Sequence, residues 1–193
     1  MVYETLPVWD AQLCQYGAIL ARFRADYLEK LAPLAEAEHS RLTDGQEVLK
    51  ISAGKKYKGT QEELEKRLFD EMANNYDRDI RLGFTGSGPH RDDIDILIDE
   101  KDAKNYASQG QTRTAALAIK LAEVEIFRET GGEYPILILD DVMSELDLPR
   151  RKKLAESTKK EGLQTILTCT HAERVLYGRE AVKIKIEGGK IKS

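Results

Sequence analysis

Residues 136–141, Ile-Leu-Ile-Leu-Asp-Asp, are four apolar residues closed by two adjacent carboxylates, with Ser144-Glu145-Leu146-Asp147 close behind. An unbroken aliphatic run suits a strand buried on both faces, and ligand sites in open α/β sheets lie beyond the carboxyl ends of such strands. Side chains alternate along a strand, so Asp140 and Asp141 point differently. One can approach a metal ion while its neighbour faces a reacting water. Taken alone, the dipeptide reads better as two solvated loop aspartates.

A second polar group stands upstream in Ser108-Gln109-Gly110-Gln111. Ser108 and Gln111 have the spacing of a capping box, which opens a helix and gathers backbone N–H groups at its positive end. Such an end attracts anions. Gly110 lets a phosphate approach the backbone, and Gln109 and Gln111 add polar reach. The same four residues also fit a plain helix cap. Downstream, the strand-like QTILT runs into Cys169, Thr170 and His171, which puts a histidine just past a strand end on the same edge as Asp140. A lone histidine also fits a surface position, and His39 and His90 lack even this placement.

These groups need elements to hold them. From Val8 to about Thr43 the apolar residues Leu13, Leu20, Tyr27, Leu31 and Leu34 fall near helical spacing, which predicts one long helix with a bend before Pro33. Glu47 to Ser52 reads as a short strand and GKKYKG as a polar loop. Thr60 and Glu63 form another capping box, opening a helix with Leu64, Leu68 and Met72 on one stripe that runs toward Gly83. The text then changes at GFTGSGPHRDD, and the strand IDILI carries Ile94, Ile96 and Ile98 on one face. A boundary at 84/85 follows, dividing a helical segment, 1–84, from a lobe, 85–193. A turn through DEKD leads to a helix from Gln109 to about Glu129, stopped by Gly131 and Gly132. Strand, helix and strand follow (ILILD, residues 150–160, QTILT), a pattern that argues for parallel strands covered by helices. AVKIKIEGGKIK reads as a hairpin with a Gly-Gly turn.

Composition narrows the class. A chain of 193 residues with 41% hydrophobic content can bury a core, and a net charge of −4 creates no global field toward DNA or an anionic membrane. Contact with nucleic acid would need a local patch. Cys14 and Cys169 are too few for a disulfide framework or a cysteine-based zinc site; both read as buried thiols of a protein in a reducing cytoplasm. No apolar run reaches the roughly 20 residues that span a bilayer, and MVYETLPVWD lacks the parts of a signal peptide.

The serine-glycine-glutamine helix start, the acid-tipped strand, SELD and the strand ending in Thr-His occur in an order that resembles the C-terminal half of ABC-superfamily nucleotide-binding heads, SMC-type proteins included. Within that superfamily LPVWDAQL, GFTGSGPHRDDI, ASQGQTRTAALAIKLAEVE and ILILDDVMSELD look like text of the RecF family. The resemblance implies an α/β fold, the C-terminal lobe of an ABC-type ATPase head with a mostly parallel sheet, preceded by a mainly helical segment. It implies that Ser108, Gln109, Gly110 and Gln111 form the signature motif that reaches ATP on a partner subunit. Asp140 falls at the Walker B metal carboxylate, the ligand for Mg²⁺. Asp141 falls where many relatives carry a glutamate that polarises water, a departure in residue type. Ser144 to Asp147 match the D-loop, with Ser144 and Asp147 near nucleotide, and His171 the switch histidine. The implied partners are gapped or duplex DNA, RecR, RecO, RecA indirectly, and a second copy bound through ATP.

A Walker A loop, G-x-x-x-x-G-K-[ST], should precede these motifs. None is present: Gly54-Lys55 is a lookalike, with Leu49 at the first glycine position and Lys56 at the serine or threonine position. The expectation is a fragment of the family pattern without its N-terminal lobe, unable to hydrolyse ATP alone. Two basic clusters, residues 55–58 and Arg150 to Lys153, fit either phosphate contacts or solvated faces. Arg91 in GPHRDD could pair with Asp92 or Asp93, or meet a phosphate. The competing class is a non-catalytic interaction module. An SMC-like structural subunit would need long heptad repeats, which the helical segments are too short to supply.

Overall fold

The computed structural model describes residues 2–53, 58–171 and 181–192. Helix α1, Val2–Thr43, runs through both Pro7 and Pro33. At 42 residues it is about 63 Å long at 1.5 Å per residue. Proline lacks the N–H that would bond one turn back, so the helix persists around Pro33 through packing: Leu31 and Ala35 on either side are buried in the main core. Cys14, Ala18 and Ala21 give the first half of α1 a thin, buried face. Gly17 completes it, since a Cβ there would lie 3.3 Å from Pro89 Cδ and 3.4 Å from Leu68 Cδ1.

Strand β1, Leu49–Ala53, and helix α2, Gln61–Leu82, follow. Thr60 caps α2 through the expected capping box, and Gly83 closes it in the left-handed conformation at φ 74°. Leu64, Leu68 and Met72 face Cys14 and Ala18 of α1 in a small core of their own. Strand β2, Ile94–Ile98, pairs antiparallel with β1, Leu49 opposite Ile98. Asp99 and Glu100, both at positive φ, turn it into the short β3, Lys101–Asp102. β1 and β2 thus join across 84/85, and the main core draws residues from both sides of that line.

After the single turn α3, Ala103–Tyr106, helix α4, Gln109–Gly131, packs along α1 and ends on Gly132 at φ 81°. Strand β4, Leu137–Asp140, the 3₁₀ turn Val142–Glu145, helix α5, Leu148–Ser157, and strand β5, Thr165–Thr168, then form a parallel unit, with Leu137 opposite Thr165 and Asp140 opposite Thr168. The expected α/β class, helices first and a parallel pair later, is what the chain adopts. The described strands form one three-stranded antiparallel sheet, this parallel pair, and the hairpin β6, Lys185–Glu187, with β7, Lys190–Lys192. The hairpin turns on Gly188 and Gly189, at φ 58° and 75°.

Three expectations need correction. β4 is buried on one face only: Leu137 and Leu139 enter the core while Ile138 is 64% exposed, because no described element packs on the other side. Cys169 is exposed; only Cys14 is buried. The apolar stripe of α1 divides, with Leu31 in the core and Leu20 and Tyr27 outside it, because α4 and α2 each cover only part of the helix. No helix among the described residues is long and apolar enough to cross a membrane.

Candidate functional site

The parallel register brings two strand ends together. Asp140 lies opposite Thr168, whose hydroxyl donates to Asp140 Oδ1 and accepts the Asp141 N–H at 3.0 Å. Asp141 adopts φ 49°, a conformation uncommon outside glycine, asparagine and aspartate, and this ends the strand. The 3₁₀ turn hangs from it: the Ser144 N–H and hydroxyl both donate to the Asp141 carbonyl, at 3.2 and 2.9 Å. Asp141 Oδ1 is buried and has no hydrogen-bond partner among the described residues. A buried carboxylate oxygen left unbonded is costly. Thr168 was not singled out from sequence; a threonine at a strand end carries no signal until strand pairing sets it against a carboxylate.

At the start of α4 the Ser108 hydroxyl accepts from the Gln111 N–H at 3.2 Å, and the Gln111 side chain accepts from the Ser108 N–H at 2.9 Å. The capping box therefore engages both side chains. The N–H groups of Gln109 and Gly110 have no intrahelical acceptor, by helix geometry, and they point out of the helix end. A Cβ at Gly110 would meet no described atom within 4 Å. Arg113, just inside the helix, pairs with Glu145 at 2.9 Å. The helix start and the tip of β4 consequently lie at one end of the molecule. A shallow groove of about 220 Å³ lies between the first half of α4 and the segment 139–146, lined by Leu117, Lys120, Leu139 and Val142, among others.

The segment 142–147 is anchored from below by Met143 and Leu146, both buried. Asp147 caps α5, accepting from the Arg150 N–H at 2.9 Å, and pairs with the Arg150 guanidinium at 3.5 Å. Arg150 also reaches Glu47 at 3.7 Å, and Glu47 approaches His39 at 3.6 Å. His39 is fully buried, contrary to a surface reading, and neither ring nitrogen makes a hydrogen bond of good geometry among the described residues. Burial pushes its pKa down, against the opposing pull of Glu47.

His171 is exposed three residues past Thr168, at the same sheet edge as Asp140, with Thr170 Oγ1 at 3.0 Å from its Nδ1. The structure thus joins Asp140, Asp141 and Thr168 directly and hangs Ser144 from the Asp141 carbonyl, while Asp147 caps α5, Ser108 to Gln111 open α4 and His171 follows β5. Among the described residues no group of three or more His, Cys, Asp or Glu is placed to hold a metal ion. A Mg²⁺ ion needs only one or two carboxylates when phosphate oxygens and water complete its shell. Asp140, exposed and with one oxygen taken by Thr168, fits that limited part.

The basic clusters fare differently. Arg150 and Lys153 are drawn into ion pairs, Lys153 with Asp44 at 2.5 Å, so a solvated face does not describe them. Arg151 donates to the Leu146 carbonyl at 2.7 Å, leaving Lys152 as the exposed member. Lys55, Lys56 and Tyr57 lie outside the described residues. In GPHRDD, Arg91 stacks on Phe84, 4.6 Å from the ring centre, while Asp93 pairs with Lys104 at 3.4 Å. Arg24 of α1 holds the loop by donating to the Pro89 carbonyl at 2.8 Å. The motif docks a connection onto α1 and α2.

No protein-family model matches the chain. Curated relatives do. The chain is 42% identical over 176 residues to the DNA replication and repair protein RecF of Lachnoclostridium phytofermentans, covering 91% of this chain and 47% of that one. It is 38% identical over 196 residues to RecF of Ruminiclostridium cellulolyticum, covering 98% and 52%. RecF of Synechocystis sp. is 37% identical over 192 residues, covering 97% and 50%. Among solved structures, the recombination mediator protein RecF-ATP in the RecFOR pathway superposes with a TM-score of 0.80 at 35% identity, over 98% of this chain and 51% of that chain. By sequence and by backbone the chain matches RecF along nearly its whole length, and it spans about half the length of the curated relatives it matches.

Proposed function

We propose that this chain carries the signature, Walker B, D-loop and switch-histidine parts of a RecF-like DNA repair and recombination ATPase, in the cytoplasm. The observation that supports the reading is the tip of β4, where Thr168 of β5 holds Asp140 and the left-handed Asp141 leads into a turn that Arg113 of α4 grips through Glu145. Gly110 supports it: it leaves the open start of α4 without a side chain, and no described neighbour requires that. A ligand approaching the helix end from outside would.

In this reading Asp140 holds Mg²⁺ beside the phosphates, and Asp141 and His171 orient the water and the terminal phosphate. The Gln109 and Gly110 amides meet the triphosphate of a partner copy, with the Ser108–Gln111 pair fixing their direction. Ser144 and Asp147 line the contact between copies. ATP supplies the phosphoryl group and the negative charge that joins the two surfaces. DNA at gapped junctions, RecR and RecO, and RecA through them, are the partners proposed for the complete assembly. The division at 84/85 is proposed as the line between arm and head, with β1 and α1 packed onto the head.

The test joins this chain to the half of a RecF relative that it does not span and measures mass in solution with and without ATP. ATP should drive dimerisation, and Asp140→Asn or Ser108→Arg should abolish it. The 193-residue chain alone should release no phosphate at micromolar concentration. Dimerisation indifferent to both substitutions would sink the nucleotide reading and favour an interaction module.

A further inference from the structure

The buried His39, which the proposed site does not use, stands at the inner end of a series of charged side chains. His39 Nε2 lies 3.6 Å from Glu47 Oε2, Glu47 Oε1 lies 3.7 Å from Arg150 Nη2, and Arg150 Nη1 lies 3.5 Å from Asp147 Oδ2. Side-chain exposure rises along the series, from 0% at His39 through 17% at Glu47 and 25% at Arg150 to 55% at Asp147. The series thus runs from the interior to the surface turn that ends at Asp147. Asp99 is the other charged group that faces His39, and its carboxylate already accepts the Val48 N–H at 2.9 Å.

Two features separate this series from an ordinary brace. Each of its contacts is longer than the roughly 2.7–2.9 Å of a tight charge-assisted hydrogen bond. On the other side of the same turn, Arg113 holds Glu145 at 2.9 Å. In addition, α5 is fastened to the end of α1 without the series: Arg41 donates to the Lys153 carbonyl at 2.9 Å, and Lys153 pairs with Asp44 at 2.5 Å. Arg150 is therefore shared between two carboxylates, one toward the interior and one on the turn, and is tightly bound to neither. A planar guanidinium can face both at once, and it shifts toward whichever attraction is left when the other weakens.

We propose that Arg150 is a positioning residue for the 144–147 turn, and that through it the seating of Asp147 and the charge on His39 depend on one another. The proposal rests on the reading above for the place of Asp147 at the contact between copies, whereas the link itself needs no nucleotide. A partner copy that draws Asp147 away from Arg150 sends the guanidinium toward Glu47 and His39, and the ring then holds a proton less well. By reciprocity, a proton on His39 drives Arg150 outward onto Asp147 and opposes that partner.

The test follows the His39 ring by NMR in the 193-residue chain from pH 8 to pH 5, with His39→Leu to assign it among the three histidines. Asparagine caps a helix as well as aspartate does, so Asp147→Asn removes the charge and keeps the start of α5. With Arg150 present, Asp147→Asn should lower the proton affinity of His39 by about twofold or more. In an Arg150→Gln chain the same substitution should leave it unchanged. At pH 8, where the ring is neutral, its carbon resonances give the same comparison and should move on Asp147→Asn only while Arg150 is there. An equal response with and without Arg150 is the plain field of a lost charge and overturns the link, as does no response in either. In the protein joined to its missing half, Arg150→Gln should raise the ATP concentration for half-dimerisation by about threefold, the scale of a partly exposed ion pair. An unchanged value overturns the positioning role. A joined parent that does not dimerise defeats the nucleotide reading instead, and the link is then decided by His39 alone.

Discussion

His39 gives the sharpest test of how this core is balanced. Its side chain is fully buried, neither ring nitrogen makes a hydrogen bond of good geometry among the described residues, and Glu47, through its carboxylate and backbone, Arg150 and Asp99 surround it. Burial outweighs the attraction of Glu47 and holds the folded-state pKa below its ordinary value of 6.5. The unfolded chain therefore takes up a proton that the folded chain refuses. Stability should be full above about pH 7 and should fall as pH drops through the unfolded pKa. The limiting slope is about 1.4 kcal/mol per pH unit for one proton, and the loss ends at the depressed folded pKa. Replacing His39 by leucine removes the proton and the two unbonded nitrogens together. Unsatisfied buried polar atoms cost about 1–3 kcal/mol, so His39→Leu should be neutral to about 1 kcal/mol stabilising at pH 8. Urea denaturation at half-unit steps from pH 8 to pH 5.5 measures both effects, since most carboxylates titrate below that window. The gap between variant and parent should widen steadily below pH 6.5. Parallel curves across the window would refute the assignment of a neutral, desolvated His39.

Other consequences follow from single contacts. Leu121 is central to the main core, and Leu121→Ala should cost about 2–5 kcal/mol in urea titration. Asp147→Ala removes the α5 cap and should cost about 1 kcal/mol by the same measurement. Cys14 is buried beside Met72, and burial with Asp10 and Glu65 nearby pushes its thiol pKa up to about 11, while Cys169 is exposed. A thiol-exchange reagent at pH 8 should therefore consume one thiol per chain quickly and the second only on addition of denaturant; two fast thiols would show that α1 and α2 separate readily.

What the sequence discloses is mostly local. The capping boxes at Thr60 and Ser108, the glycine stops at Gly83 and Gly132 and the Gly188-Gly189 turn are each settled within a few residues, and each forms as its spacing implies. The parallel β4–β5 pair is also legible, because strand, helix and strand at short intervals admit few topologies. Burial is less legible, because it depends on which neighbour arrives. Ile138 has the same character as Leu139 in sequence, yet one faces solvent and the other the core. Leu20 and Leu31 share a helix and a residue type with opposite fates. His39 looks like any surface histidine until β1 and α5 close over it. The individual roles of Asp140, Asp141, Ser108 and His171 rest on motif order, whereas Thr168 becomes visible only when pairing sets it against Asp140.

On the proposed nucleotide reading, the contacts around residues 142–147 would hold this end of the molecule ready for a ligand that the chain does not itself enclose. Met143 and Leu146 fasten the segment from beneath, Arg113 grips Glu145 from α4, and Arg150 ties Asp147 back to Glu47 on the far side. The ion pairs are partly exposed, and each contributes little to stability alone. Their effect is directional, because they approach one short segment from α4 and from the Glu47 side while the apolar anchors fix its depth. The exposed Asp140 carboxylate, the first amides of α4 and His171, whose Nδ1 contacts Thr170, are the groups the proposed reading assigns to the ligand. A site whose supports are satisfied internally and whose working groups are not has its geometry set before anything binds. If the proposed site binds a triphosphate, binding would then require little ordering of 142–147, and its affinity should depend mainly on the triphosphate and the opposing surface.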